Sequence, residues 1–248
     1  MYNVYITLGK DSQHMKKLIC FDLDGTLTQH RSPLSEQNRA VLDRLGKKYK
    51  LLMVGAGGAE RIYTQMQEYP IDILGNYGMQ ESKMIDGKFT LIREEYTDTD
   101  RDFFTKQVTY LREKYGYTEF KGASVEFHAT GMVTFPLLGT RANIADKVAF
   151  DPTREKRRVL YPEVLEIFGD RYTVFIGGSS SFDFSEKRFN KYDAIMTYAA
   201  ENGYTRDEIL YVGDDFGDGG GDSHVRLGGM DYVEITDYTK LGEMLKDL

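Results

Sequence analysis

The chain has 248 residues, 41% of them hydrophobic, enough to bury a sizeable core and to exclude global disorder. Its formal charge of -7 argues against a general nucleic-acid or membrane-surface binder, although a bound divalent cation would still admit an anionic substrate. No apolar run spans a bilayer, no signal-peptide pattern opens the chain, and the one cysteine, Cys20, can form no intrachain disulfide, so a soluble cytoplasmic protein is expected.

Val4 to Leu8 alternates weakly and suggests an edge strand without chemistry. Leu18-Ile19-Cys20-Phe21 predicts a buried strand, and it ends abruptly in Asp22-Leu23-Asp24-Gly25-Thr26-Leu27-Thr28. Carboxylates at a strand's end are costly unless a cation or a reaction needs them. Asp22 and Asp24 stand one residue apart, so on an extended chain they project to the same side. One can then reach a metal and a reacting phosphorus while the other lies at proton-transfer distance; the plain alternative is an Asp-Gly turn.

Beyond the polar connector Gln29 to Pro33, Ser35 reads as the N-cap of a helix with Val41, Leu42 and Leu45 on one face and Gly46 at its end. Leu51 to Val54 predicts a second core strand, running into Gly55-Ala56-Gly57-Gly58-Ala59-Glu60 and a helix to about Gln67. As a dinucleotide fingerprint this turn fails, because Glu60 stands where the third glycine belongs. As a phosphate-holding turn it would use backbone N-H groups at Gly57 and Gly58; a tight packing turn is the bland reading.

Ile71 to Gly75 predicts another short strand, followed by Asn76-Tyr77-Gly78. From Thr97 the texture changes. A charged amphipathic helix runs from Asp98 to Tyr115, strand-like pieces follow at Ala123 to Phe127 and Met132 to Phe135, and a basic helical stretch runs from Asp151 toward Phe168. Strands at Tyr172 to Ile176 and Ser180 to Phe184 complete what reads as a separate α+β lobe, residues 95-187, set into a core made of residues 1-94 and 188-248.

Lys191 sits at the start of a helix that ends near Gly203; the bland reading of such a lysine is solubility. Ile209 to Val212 is an apolar strand leading into Gly213-Asp214-Asp215-Phe216-Gly217-Asp218-Gly219-Gly220-Gly221-Asp222. Glycines permit tight turns and carboxylates supply oxygen ligands, so this loop suits a hard divalent cation. An EF-hand is excluded by the ligand spacing and the missing closing glutamate. Tyr232 to Ile235 and a helix through Leu245 end the chain.

The octet from Phe21 to Thr28, with Lys191 and the acidic loop after it in order, resembles the haloacid dehalogenase superfamily of phosphoryl-transfer enzymes. The trailing Thr-Leu-Thr is most similar to the eukaryotic-type phosphomannomutases. Val125-Glu126-Phe127, Gly131-Met132, Pro136, Gly139 and Ser181-Phe182-Asp183 follow the order of that family's cap, so the resemblance covers nearly everything from Leu18 to Leu248. It implies an α/β fold: a Rossmann-like parallel sheet core with an inserted α+β cap domain of the type IIB (C2) kind, and a homodimer through that cap.

The resemblance also implies chemistry. Mg2+ would be held by Asp22, the backbone carbonyl of Asp24 and Asp214, with Asp222 orienting metal-bound water; the pattern of other branches would choose Asp218, and spacing leaves the two open. Asp22 would be the nucleophile, Asp24 the general acid and base, and Lys191 the cation that neutralises the transferring group. Ser181 and Asp183 would hold a sugar hydroxyl pair, and Arg141 and Lys147 the distal phosphate of a small phosphorylated sugar.

The chain also departs from the pattern. Ala59 replaces a serine that contacts the phosphoryl group, Tyr77 stands in a usual Glu-Asn-Gly, and Gly221 replaces an asparagine. His128 or Ala129 lies where the first cap arginine belongs, Arg141 is offset by one residue from the second, and Lys147 replaces the third. Lys offers a point charge where Arg offers a fork. A mutase must grip its substrate in two orientations, so these departures favour a sugar phosphatase, with a phosphomannomutase interconverting mannose 1-phosphate and mannose 6-phosphate as the alternative. A silent sugar-phosphate binding protein would predict loss of a catalytic carboxylate, and both are present.

Overall fold

The computed structural model describes residues 6-7 and 15-248. In chain order the first part holds β1 (Ile6–Thr7), β2 (Leu18–Phe21), α1 (Glu36–Leu45), β3 (Lys50–Val54), α2 (Ala59–Gln65), β4 (Asp72–Gly75), β5 (Gln80–Ile85) and β6 (Lys88–Glu94). The middle holds α3 (Arg101–Tyr115), β7 (Glu126–Phe127), β8 (Val133–Pro136), α4 (Ile144–Phe150), α5 (Glu155–Phe168), β9 (Tyr172–Phe175) and β10 (Ser181–Glu186). The last part holds α6 (Lys191–Asn202), β11 (Ile209–Gly213), α7 (Ser223–Leu227), β12 (Asp231–Glu234) and α8 (Leu241–Met244).

Two units result. One comprises the chain up to Glu94 with Asn190–Asp218 and Asp222–Leu248; the other comprises Glu95–Phe189 with Gly219–Gly221. Among the described residues the first unit has an eight-stranded sheet in the order β1-β12-β11-β2-β3-β4-β5-β6. Strands β12, β11, β2, β3 and β4 run parallel, while β1, β5 and β6 add antiparallel edges.

The central strands read as unbroken apolar runs because both faces of the sheet are covered. Ile19 and Phe21 of β2, Leu51 and Met53 of β3, and Leu210 and Val212 of β11 pack with Val41, Leu42 and Leu45 of α1 and with Ile62 of α2. Their neighbours Leu18, Cys20, Leu52, Val54, Ile209 and Tyr211 face the other way, against Ile195, Tyr198 and Ala199 of α6. Helix α1 starts as its residues dictate, with the Ser35 hydroxyl accepting from the Asn38 N-H at 3.2 Å.

The second unit has a four-stranded antiparallel sheet in the order β7-β8-β10-β9. Helices α3 and α5 contribute Phe104 and Phe168, stacked at 4.8 Å, and Phe184 packs on both. Its two buried arginines are internal fasteners. Arg112 donates to the carbonyls of Pro136, Leu137 and Tyr117, and Arg157 donates to Asp151 Oδ2 at 2.9 Å and to the Gly177 carbonyl at 2.7 Å.

Several expectations need correction. The centre of the sheet is parallel as expected, but an unanticipated hairpin of β5 and β6 extends it antiparallel; the turn at Asp86-Gly87 has φ of +50° and +74°, a pairing suited to a two-residue hairpin. Helix α2 stops at Gln65, since Gln67 and Glu68 take left-handed φ values of +53° and +56°. The strand expected over Ala123 to Phe127 shrinks to Glu126–Phe127, and α4 was not anticipated. Of Val4 to Leu8, only Ile6–Thr7 are described, and they pair antiparallel with β12; the rest of that stretch lies outside the described residues. No helix among the described residues is long and apolar enough to cross a membrane.

Candidate active site

Parallel register brings the first and last motifs together. β2 and β11 pair Phe21 with Val212, and the ladder continues one step as the Asp22 N-H donates to the Val212 carbonyl at 2.9 Å. Asp22 therefore stands beside Gly213, and Asp214 follows directly. Asp22 also keeps the parity of Leu18 and Cys20, which turns it to the face that α6 covers.

Behind Asp22 the chain makes a tight turn, with the N-H groups of Thr26, Leu27 and Thr28 all donating to the Leu23 carbonyl. Gly25 has φ of +100°, and a Cβ there would lie 2.6 Å from Asp214 Oδ2. Only glycine satisfies both conditions. The Thr26 hydroxyl donates to Asp214 Oδ1 at 3.2 Å, so the turn and the acidic loop are pinned to each other.

Lys191 is the first residue of α6, with Asn190 as N-cap. A cation gains nothing from a helix N-terminus, so its partners must explain its place. Its Nζ donates to Asp22 Oδ1 at 2.5 Å and to Asp222 Oδ1 at 2.7 Å, and all three side chains are buried. Burial alone would lower the Lys191 pKa, but the two carboxylates outweigh it and raise the value. The same burial pushes the Asp22 carboxyl up to about 6, against the lowering effect of Lys191 and helped by Asp222. Burial would also raise Asp222, but Lys191 and its other donors hold it below the ordinary carboxylate range.

Asp222 is fully enclosed and fully used. Oδ1 takes Lys191 and the Tyr211 hydroxyl at 2.6 Å; Oδ2 takes the N-H groups of Asp214 at 3.1 Å and Asp215 at 3.0 Å. This carboxylate thus folds the acidic loop and aims the lysine. Asp218 is placed elsewhere: its side chain is 94% exposed and pairs with Arg226 at 3.2 Å. Of the two aspartates that spacing left open, Asp222 is the one inside the cluster.

Asp24 lies on the opposite flank, toward α2. Its Oδ1 accepts from the Arg31 N-H at 2.8 Å and from Gln65 Nε2 at 2.7 Å; His30 Nδ1 and Arg61 Nη2 stand 3.8 Å and 4.0 Å from Oδ2. Gly58 is the N-cap of α2, yet the Ala59 N-H is already taken by Gln80 Oε1 at 2.8 Å, and the Gly57 carbonyl accepts from the Asn76 N-H at 2.8 Å.

In the second unit, Asp183 Oδ1 accepts from the Thr134 hydroxyl at 2.8 Å, and that hydroxyl lies 3.0 Å from His128 Nε2. Burial raises the Asp183 pKa. The Ser181 hydroxyl donates to the Gly177 carbonyl at 3.0 Å. Arg141 is exposed, and Lys147 Nζ donates to the Thr140 carbonyl at 3.0 Å.

Asp22, Asp214 and Asp222 each offer an oxygen within 4.8 Å of the others. Three carboxylates this close, with one lysine among them, leave local negative charge that a hard divalent cation would neutralise. The donor set fits such an ion, and because the oxygens of Asp222 already accept four protein donors, Asp22 and Asp214 are the ligands best able to turn to it.

Three contributors escaped the sequence. Tyr211 was absorbed into an apolar strand, although a tyrosine that buries its hydroxyl must find a partner. Gln65 and Arg61 sat on the polar side of a helix, where their i, i+4 spacing was the available signal.

No family model matches the chain. It is 25% identical over 184 residues to phosphomannomutase 2 of Dictyostelium discoideum, covering 69% of this chain and 72% of that one. To the phosphomannomutase of Encephalitozoon cuniculi it is 21% identical over 248 residues, covering 94% and 95%. Among solved structures, an IMP-bound mutant of Plasmodium falciparum IMP-nucleotidase superposes with a TM-score of 0.68 at 14% identity, covering 93% of this chain and 67% of the other. A haloacid dehalogenase-like hydrolase from B. subtilis superposes at 0.54 with 13% identity, covering 80% and 83%.

Proposed function

Placing the chain in the haloacid dehalogenase superfamily, on its phosphomannomutase-like branch, we propose that it transfers the phosphoryl group of a hexose phosphate to Asp22 and then to water. The observation that carries this reading is Lys191 Nζ bridging Asp22 and Asp222 in a buried cluster that Asp214 completes.

In the first step an oxygen of Asp22 attacks phosphorus in line, a P-O bond forms to the carboxylate, and the bond to the leaving sugar oxygen breaks. Asp24 gives its proton to that oxygen. Lys191, held by Asp222 and Tyr211, faces the charge that grows on the phosphoryl oxygens, and positioning of this kind supplies most of the acceleration in phosphoryl transfer. In the second step Asp24 takes a proton from water, the water oxygen attacks the aspartyl-phosphate, and Asp22 leaves as carboxylate. Mg2+ held by Asp22 and Asp214 would supply further positive charge against the phosphate. Ser181 and Asp183 are proposed to bind sugar hydroxyls, with Thr134 holding the Asp183 carboxylate in place.

A mutase is the second reading, favoured by the similarity to two phosphomannomutases. Hydrolysis is preferred because the buried arginines of the second unit, Arg112 and Arg157, spend hydrogen bonds on backbone carbonyls of their own unit. Phosphorus-31 NMR of mannose and glucose 1- and 6-phosphates, with Mg2+ and a bisphosphate primer, separates the two. Free phosphate supports the hydrolase. Exchange between 1- and 6-resonances without free phosphate supports the mutase. Neither signal with any of the four esters defeats the proposal.

A further inference from the structure

Arg61 has no part in the steps above, yet its guanidinium stands beside the Oδ2 edge of Asp24. From α2 it folds back across Gly57, where any added side chain would overlap its guanidinium. Nη1 donates to Gln65 Oε1 at 2.7 Å, and Gln65 in turn donates to Asp24 Oδ1. Nη2 stops 4.0 Å from Asp24 Oδ2, outside hydrogen-bond range. The side chain is 44% exposed, so this fork is fixed in direction but still open to a ligand. Burial lowers its pKa, while Asp24 raises it, Arg31 lowers it and Asp22 raises it, so the guanidinium senses both carboxylates.

Ala59 carries no hydroxyl, and its N-H is committed to Gln80. A guanidinium presents parallel N-H groups that match two oxygens of a phosphate, which a lone amide cannot. We propose that Arg61 is a substrate-binding residue that holds oxygens of the phosphoryl group as it approaches Asp22, in place of a hydroxyl at position 59. The assignment of that group as the one transferred rests on the function proposed above; the binding of phosphate by Arg61 does not.

The test compares wild type, R61M, R61Q and R61K by calorimetric titration with inorganic phosphate in Mg2+ and by hydrolysis of p-nitrophenyl phosphate. R61M should weaken phosphate binding and raise KM by about tenfold or more, with a smaller change in kcat, and R61K should recover part of the loss. A residue that merely packs over Gly57 would lower the melting temperature and leave KM alone. Should R61M fail to fold, R61Q carries the same comparison. Phosphate affinity and KM within about twofold of wild type in R61M or R61Q overturn the proposal, as does a wild-type protein that binds no phosphate. Phosphate binding that needs Arg61, in a protein that hydrolyses no ester, keeps Arg61 as a phosphate ligand and removes the catalytic reading instead.

Discussion

Lys191 Nζ and Asp22 Oδ1 lie 2.5 Å apart in space and 169 residues apart in sequence. The contact forms because parallel β2 ends beside β11 and α6 crosses the face that carries both Leu18 and Tyr211. The Lys191 ammonium also serves Asp222, so its removal leaves two buried carboxylates facing each other. In K191M, ester hydrolysis should fall by about a hundredfold or more. Stability at neutral pH should fall by about 3–5 kcal/mol, the usual consequence of breaking a buried pair from one side. Urea unfolding and initial rates measured on the same preparation check both.

The elevated Asp22 carboxyl makes a pH prediction whose sign is opposite to that of an ordinary salt-bridged aspartate. Its folded pKa is near 6, and an unfolded aspartate titrates at about 3.9. The stabilisation from keeping it neutral is fully present below about pH 4 and is lost as pH rises toward 6, because the unfolded chain ionises first. Metal-free D22N should therefore melt higher than metal-free wild type at pH 7, and the gap should close by pH 4. Thermal melts at the two pH values decide it; a gap that widens at acid pH contradicts it.

Tyr211 acts through Asp222. Y211F removes one donor from a fully enclosed carboxylate, and a hydrogen bond to a charged group is worth about 1.5–3 kcal/mol. The expected result is a loss of stability of that order and a lower kcat with KM nearly unchanged, since Lys191 loses its aim while the phosphate contacts remain. A KM effect without a kcat effect would place Tyr211 outside this chain of contacts.

Gly25 is constrained twice, by φ of +100° and by the 2.6 Å that an added Cβ would leave to Asp214. G25A should lower stability by about 1–3 kcal/mol and reduce activity far more than that loss explains, because Asp214 must move. The thermal shift produced by Mg2+ should shrink with it. An unchanged shift would mean that Asp214 does not hold the ion.

Much of this site could be read before folding, for a physical reason. Asp22, Asp24 and Gly25 fall within four residues at one strand end and its turn, so they stand together as a string, and Lys191 and the Gly-Asp of the acidic loop likewise mark element boundaries. Tyr211 left no such mark, because one hydroxyl inside an apolar strand is indistinguishable from core until its partner is known. The choice between Asp218 and Asp222 needed the loop's own amides, which curl onto Asp222 and leave Asp218 outside. Arg157 lay within a stretch that read only as basic; its burial against Asp151 follows from tertiary packing. The hairpin at Asp86-Gly87 carried a usable turn signal beside strands that alternate poorly, with no residue of β6 buried.

In the proposed reaction Asp22 becomes the carrier of the phosphoryl group. The direct measurement is rapid acid quenching of the protein during turnover of a hexose phosphate in Mg2+, followed by borohydride reduction and peptide mass spectrometry. Asp22 alone should be converted to homoserine, the product of reducing an acyl phosphate, with no conversion in D22N or after chelation of the metal. Phosphate found on another residue, or turnover that persists in D22N, would contradict it.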